Sequence, residues 1–190
     1  MEDGAEGQSP SRIWGLHEVA EALEAGHPVE RIYFSLQAKG PLVERIKDLA
    51  RQRQVRFDFV EVGKLGQLAG TRQHQEVVAR TSPVRYCSLQ EVLAAAPPAC
   101  TLLALDQVHY AGNLGLAIRT AAGAGATALL LPARGGTLVN GEVMRASSGA
   151  VFRLPLVSCA NLARDLIHLK EQGFWIYGLE AGSGGDFFSV

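Results

Sequence analysis

Cysteine is scarce in this chain. Only Cys87, Cys100 and Cys159 occur among 190 residues, with no Cys-x-x-Cys pair, so neither a disulfide framework nor a zinc ribbon is expected. The five histidines are scattered as well, and the sequence predicts no metal site. We therefore expect reduced thiols in a cytoplasmic protein.

Net charge and long apolar runs are also lacking. Lys and Arg number 18 against 19 Asp and Glu, a net charge of −1, so the chain is not a polycation that would coat nucleic acid indiscriminately. The longest uncharged runs, 92–105 and 120–133, are too short and too rich in Gly or Pro to span a bilayer. The acidic segment 1–11 has no apolar core, and a flexible leader is expected rather than a signal peptide.

The first half of the chain alternates between helical and strand periodicity. Helical spacing occurs at 15–25, 41–54 and 62–68, and strand patterns occur at 31–36, 55–60 and 76–81. This predicts a small α/β domain over 12–82. Segment 83–99 contains three prolines with room for a short helix between them, and it is predicted to be a linker.

A local excess of positive charge lies between positions 31 and 56. Seven Lys or Arg residues stand there against only Glu44 and Asp48. On the amphipathic helix 41–54, the side chains of Arg45, Arg51 and Arg53 point outward. They are expected to contact RNA phosphates without reading sequence, and a solvated helix face is the alternative.

The second half carries the most informative segment. An apolar strand at 101–105 leads into Asp106 and a short loop holding Asn113 and Gly115, and an Ala-rich helix runs to 125 with Arg119 as its one charge. A lone cation is costly to bury without an anionic partner. At the carboxyl end of a strand we expect that partner to be a substrate phosphate.

The elements that follow continue the alternation of helix and strand. They are a strand at 128–131, a helical turn at 143–148, a strand at 152–157, a helix capped by Asn161, and a last strand at 174–179. A mostly parallel α/β sheet is therefore expected over 100–190.

A dinucleotide-binding site is one alternative, since Gly123, Gly125 and Ala128 fit the pattern Gly-x-Gly-x-x-Ala. That fingerprint must follow a strand and begin a helix. Here the glycines end a helix and lead into a strand, so this alternative is rejected.

Several motifs together carry a family resemblance. They are GLHEVAEAL, RQHQEVVAR with His74 and Gln75, NLGLAIRTAAGAG, the SSGA turn at 147–150, RLPLV and FWIYGLE. The chain resembles the SpoU (TrmH-like) 2′-O-ribose RNA methyltransferases of the SPOUT superfamily over nearly its whole length after the leader. Within that family it is most similar to bacterial enzymes that methylate a guanosine ribose in 23S ribosomal RNA.

The resemblance implies a fold and partners. It implies an L30e-like domain over 12–82 that holds RNA, a catalytic domain over 100–190 with a C-terminal trefoil knot, S-adenosylmethionine as cofactor, and a homodimer. Ribosomal RNA is the expected substrate, with transfer RNA as the second candidate.

The resemblance also assigns roles to residues. Arg119 matches the family's catalytic arginine and is expected to clamp a phosphate and polarise the 2′-oxygen. Asn113 matches the motif asparagine and is expected to form hydrogen bonds to the Arg119 side chain or to the ribose. The alternative for Asn113 is a helix cap. RNA contacts are expected at four further positions, His74, Gln75, Ser147 and Ser148.

Cofactor binding is expected where the last strand ends. Gly178, Leu179 and Glu180 lie at the carboxyl edge of the predicted sheet, where nucleotide-like ligands bind in open α/β sheets.

The chain departs from the family pattern in two places. The family has Gly after His-Gln, where this chain has Glu76. The family's second and third motifs, which supply most of the cofactor pocket and the knot, are not found, so the knot is expected to be missing or incomplete and these 190 residues to be inactive by themselves. A non-catalytic RNA-binding or dimerisation module is the alternative function.

Overall fold

The computed structural model describes residues 11–179, which form two α/β domains. The N-terminal domain contains a four-stranded sheet in the order β1-β4-β2-β3. Its elements in chain order are β1 (Ser11–Trp14), α1 (Leu16–Glu24), β2 (Val29–Ser35), α2 (Pro41–Gln52), β3 (Arg56–Val60), α3 (Val62–Ala69) and β4 (Val77–Thr81). β2 and β3 are parallel, and β4 runs antiparallel to both β1 and β2.

The C-terminal domain contains a second four-stranded sheet, in the order β5-β8-β7-β6, in which every strand pair is parallel. Its elements are β5 (Tyr86–Cys87), α4 (Leu89–Ala95), β6 (Leu102–Ala104), α5 (Ala111–Gly123), β7 (Ala128–Pro132), α6 (Gly141–Ala146), a 3-10 turn (Ala150–Phe152), β8 (Leu156–Cys159) and α7 (Leu162–Glu171). The predicted parallel α/β sheet is confirmed.

The second sheet is covered on both faces, as expected of parallel strands. Alternate residues of β7 face the two helical layers. Leu129 and Leu131 pack with α5 and α6, whereas Ala128 and Leu130 pack with α4 and α7. Side chains alternate between the faces of a strand. α5 and α6 therefore lie on the opposite side of the sheet from α7.

Several predicted boundaries were wrong. The N-terminal domain begins with a strand at Ser11, which pairs with Thr81. The predicted linker 83–99 contains β5 and α4, and β5 pairs with β8 in the second sheet; a two-residue strand is too short to leave a periodic pattern. The predicted strand at 152–157 begins only at Leu156, because residues 150–152 form a 3-10 turn.

The two domains pack directly on each other. One continuous core contains Ile13 and Phe34 of the first domain together with Leu114 and Met144 of the second. The His27 and Phe152 rings meet with centroids 4.6 Å apart across the boundary, and burial lowers the pKa of His27, opposed by its contact with the carbonyl of Ser82. The relative position of the domains is therefore fixed by buried apolar contacts.

An ion pair adds to this boundary. Arg153 lies 2.7 Å from a carboxylate oxygen of Glu21 and 3.3 Å from one of Glu24. Because the Arg153 side chain is about half exposed, the pairs contribute no more than about 1 kcal/mol each.

Within residues 11–179 no helix combines the length and the apolar character that a bilayer crossing requires. The same stretch contains no cluster of three or more His, Cys, Asp or Glu arranged to hold a metal ion.

The backbone at Glu76 explains why the family places glycine there. Glu76 has a φ of +65°, in the left-handed region, where a Cβ costs about 1–2 kcal/mol. Its N–H donates to Nδ1 of His74 at 3.2 Å, and its carbonyl accepts from the N–H of Ser35 at 2.9 Å. The loop is thus held in this conformation despite the side chain.

We expect Glu76→Gly to raise the free energy of unfolding by about 0.5–1 kcal/mol, because relief of the Cβ strain exceeds the added chain entropy of glycine. Urea denaturation measures this change. Glu76→Ala is the matched control, since it removes the carboxylate and keeps the Cβ. Equal stabilisation by the Ala and Gly variants would show that charge, rather than backbone strain, is responsible.

Candidate functional site

Arg119 lies on the exposed side of α5, near the turn that follows α6. Its Nη1 donates to Oγ of Ser148 at 3.3 Å, and it takes part in none of the ion pairs found among residues 11–179. The residue is exposed, so the protein does not bear the cost of burying this cation without an anionic partner. Its guanidinium is instead accessible to an anion from solvent and is tethered by one neutral hydrogen bond.

Gly115 sets the distance between α5 and α6. A Cβ at this position would lie 2.4 Å from Cβ of Ala146 and 2.9 Å from the backbone nitrogen of Ser147. Gly115 is a helical residue and not the loop residue that the sequence predicted. It allows the end of α6 to approach α5 so closely that Ser148 comes within reach of Arg119.

The two serines of the SSGA turn have different environments. Ser147 is fully buried, and its hydroxyl donates to the carbonyl of Met144 at 2.9 Å. It is therefore not available to RNA in this structure, contrary to the expectation. Ser148 is exposed, with a φ of +50°. This left-handed conformation aims its hydroxyl at Arg119.

Asn113 does not cap α5. The helix begins at Ala111 with Tyr110 as its N-cap, and Asn113 is an exposed residue of the first turn. Arg119 follows Asn113 by six positions, a rise of about 9 Å along the helix axis. Among residues 11–179 no hydrogen bond joins the side chains of Asn113 and Arg119. The structure therefore shows neither the expected helix cap nor the expected bond to Arg119, and the ribose contact stays a prediction.

His74 and Gln75 form part of the loop before β4. His74 is buried, and its Nδ1 accepts from the N–H of Glu76, which indicates a structural role. Gln75 is exposed and its Oε1 accepts from the N–H of Leu16 at 3.4 Å. Of the two, only Gln75 lies at the surface.

The arginines of α2 are engaged by neighbouring groups. Arg45 pairs with Glu24 at 2.5 Å, and Arg51 pairs with Asp48 at 2.7 Å. Arg53 donates to the carbonyl of Glu24 at 3.1 Å. Their local charge is thus partly neutralised, although Arg45 and Arg51 remain about 61% exposed.

The predicted last strand does not form. Residues 174–179 have no regular structure and no strand partner in the described part of the chain, and Trp175 is 82% exposed. Gly178 and Leu179 are both exposed, and Glu180 lies outside the described residues. An apolar pattern indicates a strand, but a strand also needs a neighbouring strand for its backbone hydrogen bonds, and the pattern does not show whether one is present.

A groove that is open to solvent runs between the two domains. Its volume is about 590 Å³, within the range of small-molecule sites. We call it the interdomain groove, and its principal lining residues are Trp14, Thr71 and Gln73 of the first domain and Gly112, Glu142 and Arg145 of the second.

Arg145 is the cation of the interdomain groove. Its Nη1 donates to Oε1 of Gln73 at 3.1 Å. Nearby Glu18 is almost fully buried, and burial raises the pKa of its carboxyl, whereas a bond to its own backbone and the charges of His17 and Arg145 oppose that rise. Sequence reasoning missed Arg145 and Gln73. The one available signal was the position of Arg145 two residues before the SSGA turn.

Two family models match the chain. Residues 12–87 match the model described as RNA 2′-O ribose methyltransferase substrate binding, and residues 101–189 match the SpoU rRNA methylase family. Together the two matches extend over most of the chain.

Curated relatives match over similar lengths. The 23S rRNA (guanosine-2′-O-)-methyltransferase RlmB of Xanthomonas campestris is 34% identical over 182 residues, covering 94% of this chain and 73% of the relative. A protein of Staphylococcus aureus described as a TrmH family tRNA/rRNA methyltransferase is 32% identical over 178 residues, covering 92% of this chain and 71% of the relative.

Solved structures share the fold. An AdoMet-bound rRNA methyltransferase from Sinorhizobium meliloti is 27% identical with a TM-score of 0.65, covering 85% of this chain and 58% of that one. The SpoU methyltransferase AviRb of Streptomyces viridochromogenes is 20% identical with a TM-score of 0.68, covering 86% and 60%, and at that identity shows the fold alone. The chain thus spans about three fifths of the length of these two structures.

We expect Gly115→Ala to lower the free energy of unfolding by about 1–3 kcal/mol, because its Cβ would overlap Ala146 and the backbone of Ser147. Gly123→Ala on the same helix is the matched control. A Cβ there meets nothing within 4 Å, and helix propensity favours alanine by at most about 1 kcal/mol. Thermal and urea unfolding measure both changes, and equal effects of the two substitutions would contradict the close contact at Gly115.

Proposed function

Because this chain belongs to the SpoU methyltransferase family, we propose that it methylates a ribose 2′-hydroxyl in ribosomal RNA with S-adenosylmethionine as the methyl donor. The match of both family models and of rRNA methyltransferase relatives supports this activity. The observation that carries the acceptor side is the position of Arg119, exposed and held by Ser148.

The acceptor hydroxyl sets the chemical problem. A 2′-hydroxyl is a poor nucleophile, and its oxygen must lose a proton as it attacks a methyl group. Arginine keeps its charge in proteins and presents a rigid fork of donors suited to phosphate. Arg119 therefore acts as a clamp and not as a base; the proton would pass to solvent water, and the donor would leave as the neutral thioether S-adenosylhomocysteine.

The clamp accelerates the reaction in two ways. A bidentate hold on the phosphate beside the target ribose fixes the direction of attack, which removes orientational freedom before the reaction. The guanidinium charge also favours the negative charge that develops on the 2′-oxygen. Ser148 limits the rotation of the Arg119 side chain, and Asn113 contacts the ribose from the first turn of α5.

The described residues do not enclose a site for the methyl donor. At the carboxyl ends of β6 and β7, Leu105, Val108, Leu131 and Thr137 line a cavity of only about 10 Å³, the size of one water molecule. Gly178 and Leu179, the expected cofactor contacts, are exposed. Support for S-adenosylmethionine as the donor comes from the match to the SpoU methylase family.

RNA binding by the N-terminal domain belongs to the same proposal. Residues 12–87 match a substrate-binding model, and we take this domain to be L30e-like. Gln75 and the exposed arginines of α2 contribute contacts to RNA. The contacts from α2 are weakened, because Arg45 and Arg51 also pair with Glu24 and Asp48.

The relatives also guide the choice of substrate. A 23S rRNA guanosine methyltransferase is among the most similar curated relatives, and we propose a guanosine ribose in ribosomal RNA as the target. Another relative's description names tRNA beside rRNA, so transfer RNA is the second substrate to test.

Self-association and the trefoil knot of the family complete the proposal. Tyr110 and Leu116 are 75% and 60% exposed near the start of α5, and Leu138 is 67% exposed in the adjoining loop, which Thr137 ties to the carbonyl of His109. Grouped exposed apolar side chains of this kind mark interaction sites.

We expect the protein to be a homodimer in sedimentation equilibrium. Leu116→Glu should shift it toward monomer, because the substitution places a charge in the apolar surface. A monomeric parent protein would contradict the proposal.

A cytoplasmic location belongs to the same proposal, since the free thiols of Cys87, Cys100 and Cys159 are typical of that compartment.

A second function is favoured by one observation. The segment 174–179, expected to border the donor site, is exposed and without strand pairing. RNA binding without methyl transfer would need no such site. Calorimetry with S-adenosylmethionine separates the two functions, since only a methyltransferase needs to bind the donor.

We expect Arg119→Gln and Arg119→Lys to lower methyl transfer at least about 100-fold, because one amide or one ammonium cannot hold a phosphate bidentately. Donor affinity should stay unchanged. Transfer of a labelled methyl group to an unmodified ribosomal RNA transcript measures the first quantity, and calorimetry measures the second.

Arg164→Gln is the matched control for these variants, since Arg164 lies on α7 across the second sheet from α5. A parallel collapse of donor affinity in the Arg119 variants would contradict the clamp. Methyl groups found on a base nitrogen instead of a 2′-oxygen would overturn the proposed reaction itself.

A further inference from the structure

The interdomain groove joins the surface that holds Arg119. Gly112, Gly115 and Arg119 follow one another at spacings of three and four residues, so they share one face of α5. Gly112 lines the groove, Gly115 contacts Ala146, and Arg119 reaches Ser148. The groove therefore begins about 10 Å along the helix from Arg119, a distance covered by about three stacked nucleotides at about 3.4 Å each.

The lining of the groove matches the mixed chemistry of a nucleotide. Arg145 offers a cation, Trp14 an aromatic ring, and Glu142 a carboxylate that can accept from ribose hydroxyls or base amino groups. A purely anionic ligand would be repelled by Glu142 and by nearby Glu18. A nucleotide carries one phosphate for Arg145 and several donors for the carboxylate.

Arg145 is prepared to bind an anion. Its contact with Gln73 is a hydrogen bond to a neutral amide oxygen, and no carboxylate lies within ion-pair distance of it among residues 11–179. Arg45 and Arg51 of α2, in contrast, already pair with carboxylates. A phosphate at Arg145 therefore does not need to displace a bound carboxylate.

We propose that the interdomain groove binds the single-stranded RNA nucleotides that flank the target ribose, with Arg145 on a phosphate. Gln73 is a positioning residue that holds the guanidinium from the opposite domain. The inference rests on the proposed function, since it takes RNA as the ligand, and it adds a binding surface to which both domains contribute.

Filling the groove gives the sharpest test. A Cβ at Gly112 or at Gly123 meets nothing within 4 Å, and both glycines lie exposed on α5. Gly112→Leu therefore places a side chain in the groove without disturbing the core, and Gly123→Leu makes the same change at the far end of the helix. Binding of a fluorescein-labelled single-stranded RNA of about twelve nucleotides is measured by anisotropy between about 50 and 300 mM salt.

We expect Gly112→Leu to weaken RNA binding at least about fivefold, and the affinity of Gly123→Leu to stay within about twofold of the parent protein.

Arg145→Gln should weaken RNA binding and reduce the slope of log K against log salt by about 0.7, the value for one phosphate contact on a single strand. Gln73→Ala should weaken binding and leave the slope unchanged, because the phosphate contact itself remains. Arg164→Gln on α7 is the charge-matched control.

The outcomes separate this inference from the proposed function. Parent-level RNA affinity in the Gly112→Leu variant would overturn the groove, even with methyl transfer intact. Displacement of RNA by oligoglutamate of equal charge would also overturn it, since the groove would then be a general anion site. A parent protein that binds no RNA and transfers no methyl group would instead refute the proposed function, and the groove with it.

Discussion

The structure depends on the close contacts of one short segment, residues 141–150. A Cβ at Gly141 would lie 2.5 Å from the Trp14 ring, and one at Gly149 would lie 2.4 Å from Cβ of Glu21. On the other side, Ala146 meets Gly115 of α5. The segment is thus held between the N-terminal domain and α5, where interiors tolerate little added volume. Displacement of this segment would separate Ser148 from Arg119 and Arg145 from Gln73.

The cations of α2 differ from Arg119 and Arg145 in the partners that hold them. Those of α2 are paired with nearby carboxylates, and surface pairs of this kind contribute little to stability. Arg119 and Arg145 are held by a hydroxyl and an amide instead. A neutral partner orients a guanidinium without neutralising its charge, so both side chains keep that charge for a phosphate. Positive charge in the sequence is densest around α2, but Arg119 and Arg145, which form no ion pair among residues 11–179, lie on other helices.

The two sides of the proposed reaction are unequally described. The acceptor side has a defined cation, its tether and an adjoining groove, all within residues 11–179. The donor side has a cavity of about 10 Å³ at the carboxyl ends of β6 and β7, and the segment expected to border it is exposed through Leu179. Residues 11–179 therefore provide contacts that can position the acceptor, whereas support for the donor comes from the family match.

The sequence by itself determined the family and the order of most helices and strands, because periodicity and motif spacing are local properties that the chain displays directly. The catalytic role of Arg119 stays a prediction. The sequence also placed Asn161 correctly as the cap of α7, where its side chain accepts from the N–H of Arg164. Only the tertiary structure decided that Ser147 is buried, that Gly115 is a helix contact, and that Arg145 meets Gln73 from 72 residues away. These depend on which surfaces of the two domains touch, and contacts between distant residues leave no periodic signal in one chain.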